Sequence, residues 1–232
     1  MAASLTRHPD EDMNEDSRQS AGAPAARSPG ATKKGIETRA RIIRGAIEAV
    51  ESEGMESLTT RKIAARAGVQ LATLHYYFDS KESLMLAVLE DLVSDMSMRY
   101  TSSVNSADMD DRIAQLIRLI WRYIGENPNR EISQIELTIY ALRTKGSEWL
   151  AAKQYNTYID FYSQFVFRDS DIPEPERTRI ANAVTRFMLI GIDGLILQNF
   201  ALGDTAVASE SVEALIFTTQ AYLKKLIAQS AT

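Results

Sequence analysis

A chain of 232 residues, 45% hydrophobic and 25% charged, has material for one or two globular domains with a true core and is neither fibrous nor wholly disordered. It contains no cysteine, which excludes disulfides, thiolate metal sites and cysteine nucleophiles and fits a cytoplasmic setting. The net charge of −5 argues against nucleic acid until it is divided along the chain: residues 31–82 carry 9 basic and 7 acidic side chains, and residues 83–232 carry 14 and 19.

Residues 1–32 are rich in Ala, Ser, Pro, Gly and acidic side chains and hold hardly any large apolar ones. Such a segment cannot bury enough surface to offset the entropy of ordering, so a disordered tail is expected. Lys33 and Lys34 follow, either as a flexible arm along DNA or as an ordinary solvated pair. Ile43, Ala46, Ile47 and Val50 then recur at i, i+3, i+4 and i+7, the apolar face of a first helix ending near Gly54. Two short helices are expected over about 60–67 and 71–77, separated by Gly68, Val69 and Gln70. A long fourth helix opens after Asp79 and Ser80, with Asp79 and Glu82 spaced as a capping box and Leu84, Val88 and Leu92 as its apolar row.

Ile113, Leu116, Ile117, Ile120 and Ile124 mark a fifth helix, stopped at Asn127 and Pro128. A sixth is expected over about 129–142 and a seventh over about 147–168, before Pro173 and Pro175 break the chain. From Phe187 to Leu197 apolar residues surround the helix, so it must be covered on more than one side, and Gly191 and Gly194 allow a neighbouring helix close approach. Val212, Leu215, Ile216, Thr219, Leu223 and Leu226 stripe the last helix. Two such helices from each of two chains make an intermolecular four-helix bundle, hence a homodimer through the last two helices. The apolar run Phe187–Phe200 is too short to span a bilayer and contains Asp193 and Gln198, so no membrane is expected. With no strand pattern, the fold class is all-α.

The stretch from Leu58 to Leu84 carries the function. Ile63, Ala64 and Ala67 give one short helix a small apolar face, Gly68 permits a left-handed turn, and Val69 and Leu74 lock the second helix on the first: a helix-turn-helix. Leu71, Ala72 and Thr73 open the second helix with small or apolar groups suited to a major groove. His75, Tyr76 and Tyr77 follow with groups that hydrogen-bond phosphates.

At Ile63, Ala64, Ala67, Gly68, Val69, Thr73, Leu74, Phe78, Ser80, Lys81 and Leu84 the stretch resembles, without a gap, the signature of the TetR family of transcriptional regulators. It departs at Gln70, where Ser is usual and caps the helix, at His75 and Tyr77, which exchange the usual Tyr and His, and at Val50, where Phe is common. The resemblance implies a three-helix DNA-binding domain over residues 33–82 and a helical ligand-binding and dimerisation domain over 83–232, about nine helices in all. It implies that Arg61, Leu71, Ala72 and Thr73 face base edges while Thr60, His75, Tyr76, Tyr77 and Lys81 hold phosphates. It further implies a dimer on a palindromic double-stranded DNA operator, repressing until a small-molecule inducer moves the long fourth helix and with it the recognition helix.

For the ligand, Tyr155, Tyr158 and Tyr162 recur at helical spacing with Phe165, and Trp121 and Tyr140 lie on other helices. They line either a packed core or an apolar cavity that takes an inducer of apolar or aromatic character. Asp193 is either a hydrogen-bonded structural carboxylate or a ligand contact. The alternatives are a DNA-binding module whose C-terminal domain binds a protein partner, and a helical enzyme. Against the enzyme, the only histidines are His8 and His75, and no P-loop, dinucleotide fingerprint or Gly-x-Ser-x-Gly elbow occurs, so no catalytic, metal or cofactor residue is assigned.

Overall fold

The computed structural model describes residues 32–230; nearly all of the expected tail, and His8, lie outside them. Among the described residues there are nine helices and no strand: α1 (Lys33–Glu53), α2 (Thr60–Arg66), α3 (Leu71–Tyr77), α4 (Lys81–Ser103), α5 (Met109–Glu126), α6 (Pro128–Arg143), α7 (Glu148–Val166), α8 (Glu176–Leu202) and α9 (Thr205–Ser230).

The first three helices owe their geometry to short local devices. Thr59 accepts the Lys62 amide at 3.3 Å and starts α2, while Gly68, at φ 62°, takes the left-handed turn into α3. α1 crosses close behind: a Cβ on Gly45 would lie 2.9 Å from the Ala67 backbone nitrogen, so only glycine admits this approach. The start of α4 differs from expectation. The capping box is formed by Ser80 and Ser83, whose side chains each accept the other's backbone N–H at 3.0 and 3.2 Å, one residue beyond the Asp79 and Glu82 pair. Glu82 turns instead to the C-terminal helices.

Two cores are present. One joins α1–α3 and the first half of α4 to Leu137, Ala141, Leu150 and Ala151 of α6 and α7. The other gathers the second half of α4 with α5, most of α7, α8 and α9. The core serving the helix-turn-helix therefore runs past residue 82 and includes pieces of two later helices.

The last two helices also need revision. The α9 stripe from Val212 to Leu226 is buried within the subunit, against α5 and α8. Gly191 makes its close approach there too, because a Cβ on it would overlap Leu215 of α9, whereas Gly194 has open space beside it. What remains outside is a second apolar set, Ile190, Leu197 and Phe217, at 70%, 55% and 71% exposure. α8 reaches 27 residues and is long and apolar enough to cross a membrane by length and composition alone, unlike the short run read from the sequence. It carries Arg177, Arg179, Arg186 and Asp193 and packs between α7 and α9, as a core helix of a globular domain does.

Candidate nucleic-acid interface and ligand cavity

α3 is held by one face and bare on the other. Leu74 and Phe78 are fully buried, while Ala72, His75 and Tyr76 are exposed and Leu71 and Thr73 half-buried. Gln70 makes no side-chain cap, so the amides opening α3 keep no side-chain acceptor at that position. Tyr77 sits on the inner side at 9% exposure, edge-on to Tyr76 with ring centroids 5.3 Å apart. Packing is its main role, which leaves only the hydroxyl for a phosphate.

The basic residues of α2 separate by their partners. Lys62 and Arg66 both pair with Glu53 of α1, at 2.8 and 3.0 Å, and Arg66 also donates to Ser52 and the Glu48 carbonyl. Lys62 thereby holds the Glu53 carboxyl below its ordinary range. Arg61 is exposed and has neither an ion pair nor a side-chain hydrogen bond among the described residues, and half-buried Thr60 starts the same helix. Lys33 and Lys34 are exposed at the start of α1. Arg41 and Arg44, exposed on the solvent side of α1 and without an ion pair among the described residues, were not singled out from the sequence, although their spacing opposite Ile42, Ile43 and Ala46 was the signal.

Lys81 is not the free cation the motif suggests. Its ammonium donates to the carbonyls of Met55 and Leu58 at 3.3 and 3.0 Å and lies 4.4 Å from the centre of the Tyr140 ring. Burial holds it below the usual lysine range, against the pull of Glu82. A side chain fixed on three groups at the joint between the cores is a tether, so its assignment to a phosphate is withdrawn.

The rest of that joint is made by α6. Arg130 pairs with Glu51 at 2.8 Å, Glu136 accepts the Met55 amide at 2.7 Å, and Tyr140 donates to Glu82 at 2.8 Å, with Ser147 adding a second bond to Glu82 at 3.1 Å. Burial opposes ionisation of Glu82, but its backbone N–H together with Tyr140, Ser147 and Ser80 outweighs that and holds the carboxyl below its ordinary range.

On another face, α6 lines a cavity of about 60 Å³ with Glu131, Gln134, Ile135 and Thr138. α7 contributes Gln154, Tyr155, Tyr158 and Tyr162, α8 contributes Leu189, Ile192, Asp193 and Ile196, and α4 and α5 supply Leu92, Met96, Ile120, Tyr123 and Ile124. Four of the six residues expected at a ligand are thus together: Tyr155, Tyr158, Tyr162 and Asp193. Tyr155 donates to Asp193 at 2.8 Å, and burial raises that carboxyl while the tyrosine bond opposes the shift.

The other two lie elsewhere. Tyr140 belongs to the joint, where its hydroxyl is committed to Glu82, and Trp121 packs half-buried against the second core without lining the cavity. Glu131, Gln134, Thr138 and Gln154 were missed. Nothing in their spacing singles them out, and only their shared position around the void, from α6 and α7, reveals them.

A family model described as bacterial regulatory proteins, tetR family, matches residues 42–88. The nicotine-responsive transcriptional repressor HdnoR of Paenarthrobacter nicotinovorans is 26% identical over 167 residues, 72% of this chain and 85% of that protein. The class A tetracycline repressor of Escherichia coli is 38% identical over 71 residues, 31% of this chain and 32% of its own length, so that likeness concerns one domain. A TetR transcription regulator from Haloarcula marismortui has the same fold, with a TM-score of 0.59 at 23% identity over 82% of this chain and 98% of that one.

Proposed function

We propose that the chain is a member of the tetR family of bacterial regulatory proteins, whose model matches residues 42–88, and a ligand-responsive repressor that binds a palindromic operator as a homodimer and leaves it when a small molecule enters the C-terminal cavity. It acts in the cytoplasm and performs no chemistry of its own. Arg61, Leu71, Ala72 and Thr73 read base edges, while Thr60, His75, Tyr76 and the Tyr77 hydroxyl hold phosphates. The partner subunit covers Ile190, Leu197 and Phe217 and the open space beside Gly194, which keeps the dimer on α8 and α9.

One observation carries the ligand response: α6 borders the cavity through Glu131, Gln134, Ile135 and Thr138 and grips the DNA-binding helices through Arg130, Glu136 and Tyr140. A void of about 60 Å³ holds a few water molecules, so a drug-sized ligand must spread its walls. Such a ligand prefers the spread conformer and draws the population toward it by that differential affinity. Because α6 and α4 are tied to the head, spreading alters the separation of the two recognition helices, which must stay near roughly 34 to 36 Å, or a multiple, to meet successive half-sites. The void also supports a small-molecule sensor over a module for a protein partner.

Selection from random duplex DNA by the full chain tests this. The expected result is a two-fold symmetric sequence whose enrichment falls when extracted small molecules are added. No enriched sequence at low salt would overturn the regulator reading.

A further inference from the structure

The walls of the cavity have a definite charge. They contain two carboxylates, Glu131 and Asp193, and no lysine, arginine or histidine. Asp193 already accepts the Tyr155 hydroxyl. Glu131 accepts no hydrogen bond and makes no ion pair through its side chain among the described residues, and its neighbour Arg130 is committed to Glu51 and the Tyr123 hydroxyl. Tyr162, at 5% exposure, also lines the cavity with a hydroxyl that makes no hydrogen bond among the described residues. A half-buried carboxylate facing a void without a partner is costly, and so is an idle hydroxyl beside it. An anion here would face two like charges, and a neutral ligand would leave Glu131 as it is.

We propose that the cavity takes an organic cation with a flat apolar body, its positive charge set against Glu131 among the rings of Tyr158 and Tyr162. The inference rests on the cavity being the ligand site. Tyrosine rings add attraction for a desolvated cation, which ion pairing alone does not select by shape. Tyr155, Leu189 and Asp193 border both the cavity and an outer groove of about 460 Å³ between α7 and α8 that Arg186 also lines, so the Tyr155 to Asp193 bond stands between the two.

The titratable groups around Glu131 are Arg130 beside it on α6, Tyr100 of α4, Tyr123 of α5, Tyr158 and Tyr162 of α7, and Asp193 of α8, and of these Arg130 and Asp193 act on its carboxyl. Burial pushes its carboxyl up to about 7, with Arg130 opposing and Asp193 adding to the shift. A carboxyl raised in the folded state contributes stability below its ordinary value of 4.5 and loses it as pH rises through about 7. Glu131→Gln removes that loss, so its melting temperature should match the parent's at pH 5 and exceed it at pH 8.

Calorimetric titration of the full chain and of Glu131→Gln with three probes of one shape separates the possibilities: 1-methylquinolinium, neutral 1-methylnaphthalene and anionic 1-naphthoate. At pH 8 the cation should bind the parent at least tenfold more tightly than either other probe. That preference should vanish in Glu131→Gln and shrink in the parent below pH 7. Equal or tighter binding of the neutral or anionic probe, a preference that survives in the variant, or no binding of any probe overturns the cation site. Release of selected DNA by the neutral or anionic probe would leave the ligand-responsive reading standing while the cation is lost. Failure to select DNA at all would defeat that reading separately.

Discussion

The helix-turn-helix and the cavity are built on opposite plans. Around α1–α3 the core is closed by fully buried apolar side chains, Ile42, Ile63, Leu74 and Phe78 among them, while Lys62 and Arg66 pair with Glu53 at the rim. Around the cavity, Thr138 and Gln154 are buried and bonded to each other at 3.0 Å, Glu131 has no side-chain partner among the described residues, and a void remains. Close packing resists deformation, whereas a polar void is open to completion from outside. The head keeps one shape wherever it is carried, and the sensor has a shape that a ligand can change.

The largest test of this contrast strikes the closed side. Gly45→Val places a branched side chain against the Ala67 backbone and should cost about 3 kcal/mol. Denaturant unfolding would register it, with operator binding lost in step; a fully stable variant would mean that α1 can move away from the turn. Arg61→Ala leaves packing alone and should weaken operator binding by about 1 to 3 kcal/mol with relaxed base preference. Binding titrations on single-base operator variants check this, and an unaltered preference profile would remove Arg61 from base reading. The smallest effect lies at the joint, where Tyr140→Phe deletes one bond to Glu82 and should lower stability by about 1 kcal/mol. Ligand-induced DNA release should weaken as well; unchanged release would show that coupling does not pass through the Tyr140 to Glu82 bond and runs through Arg130 and Glu136 of α6 or through α4.

Much of the head was legible because its signals are local. The spacing of Ile63, Ala67, Gly68 and Leu74 lies within one short stretch, and the structure folds it as read. What stayed hidden depends on residues far along the chain. Asp79 with Glu82 and Ser80 with Ser83 are both correctly spaced for a capping box, and the choice falls to the second pair as Glu82 reaches Tyr140 and Ser147. Lys81 reads as a phosphate contact until Met55, Leu58 and Tyr140 close around it. The stripe of α9 says that a face is covered, and not whether the cover is α8 of the same subunit or a second copy. Glu131 shows the same limit: a glutamate on a helix is ordinarily solvated, and nothing beside it in the chain announces a cavity.

The pairing of Lys62 and Arg66 with Glu53 reaches beyond the fold. Sequence-independent attraction to a duplex comes mainly from counterions displaced by unpaired lysine and arginine. A head that sets two of its cations against one internal carboxylate, on a chain of net charge −5, has that much less positive charge to offer a duplex of any sequence, and leaves the attraction to Arg41, Arg44 and Arg61.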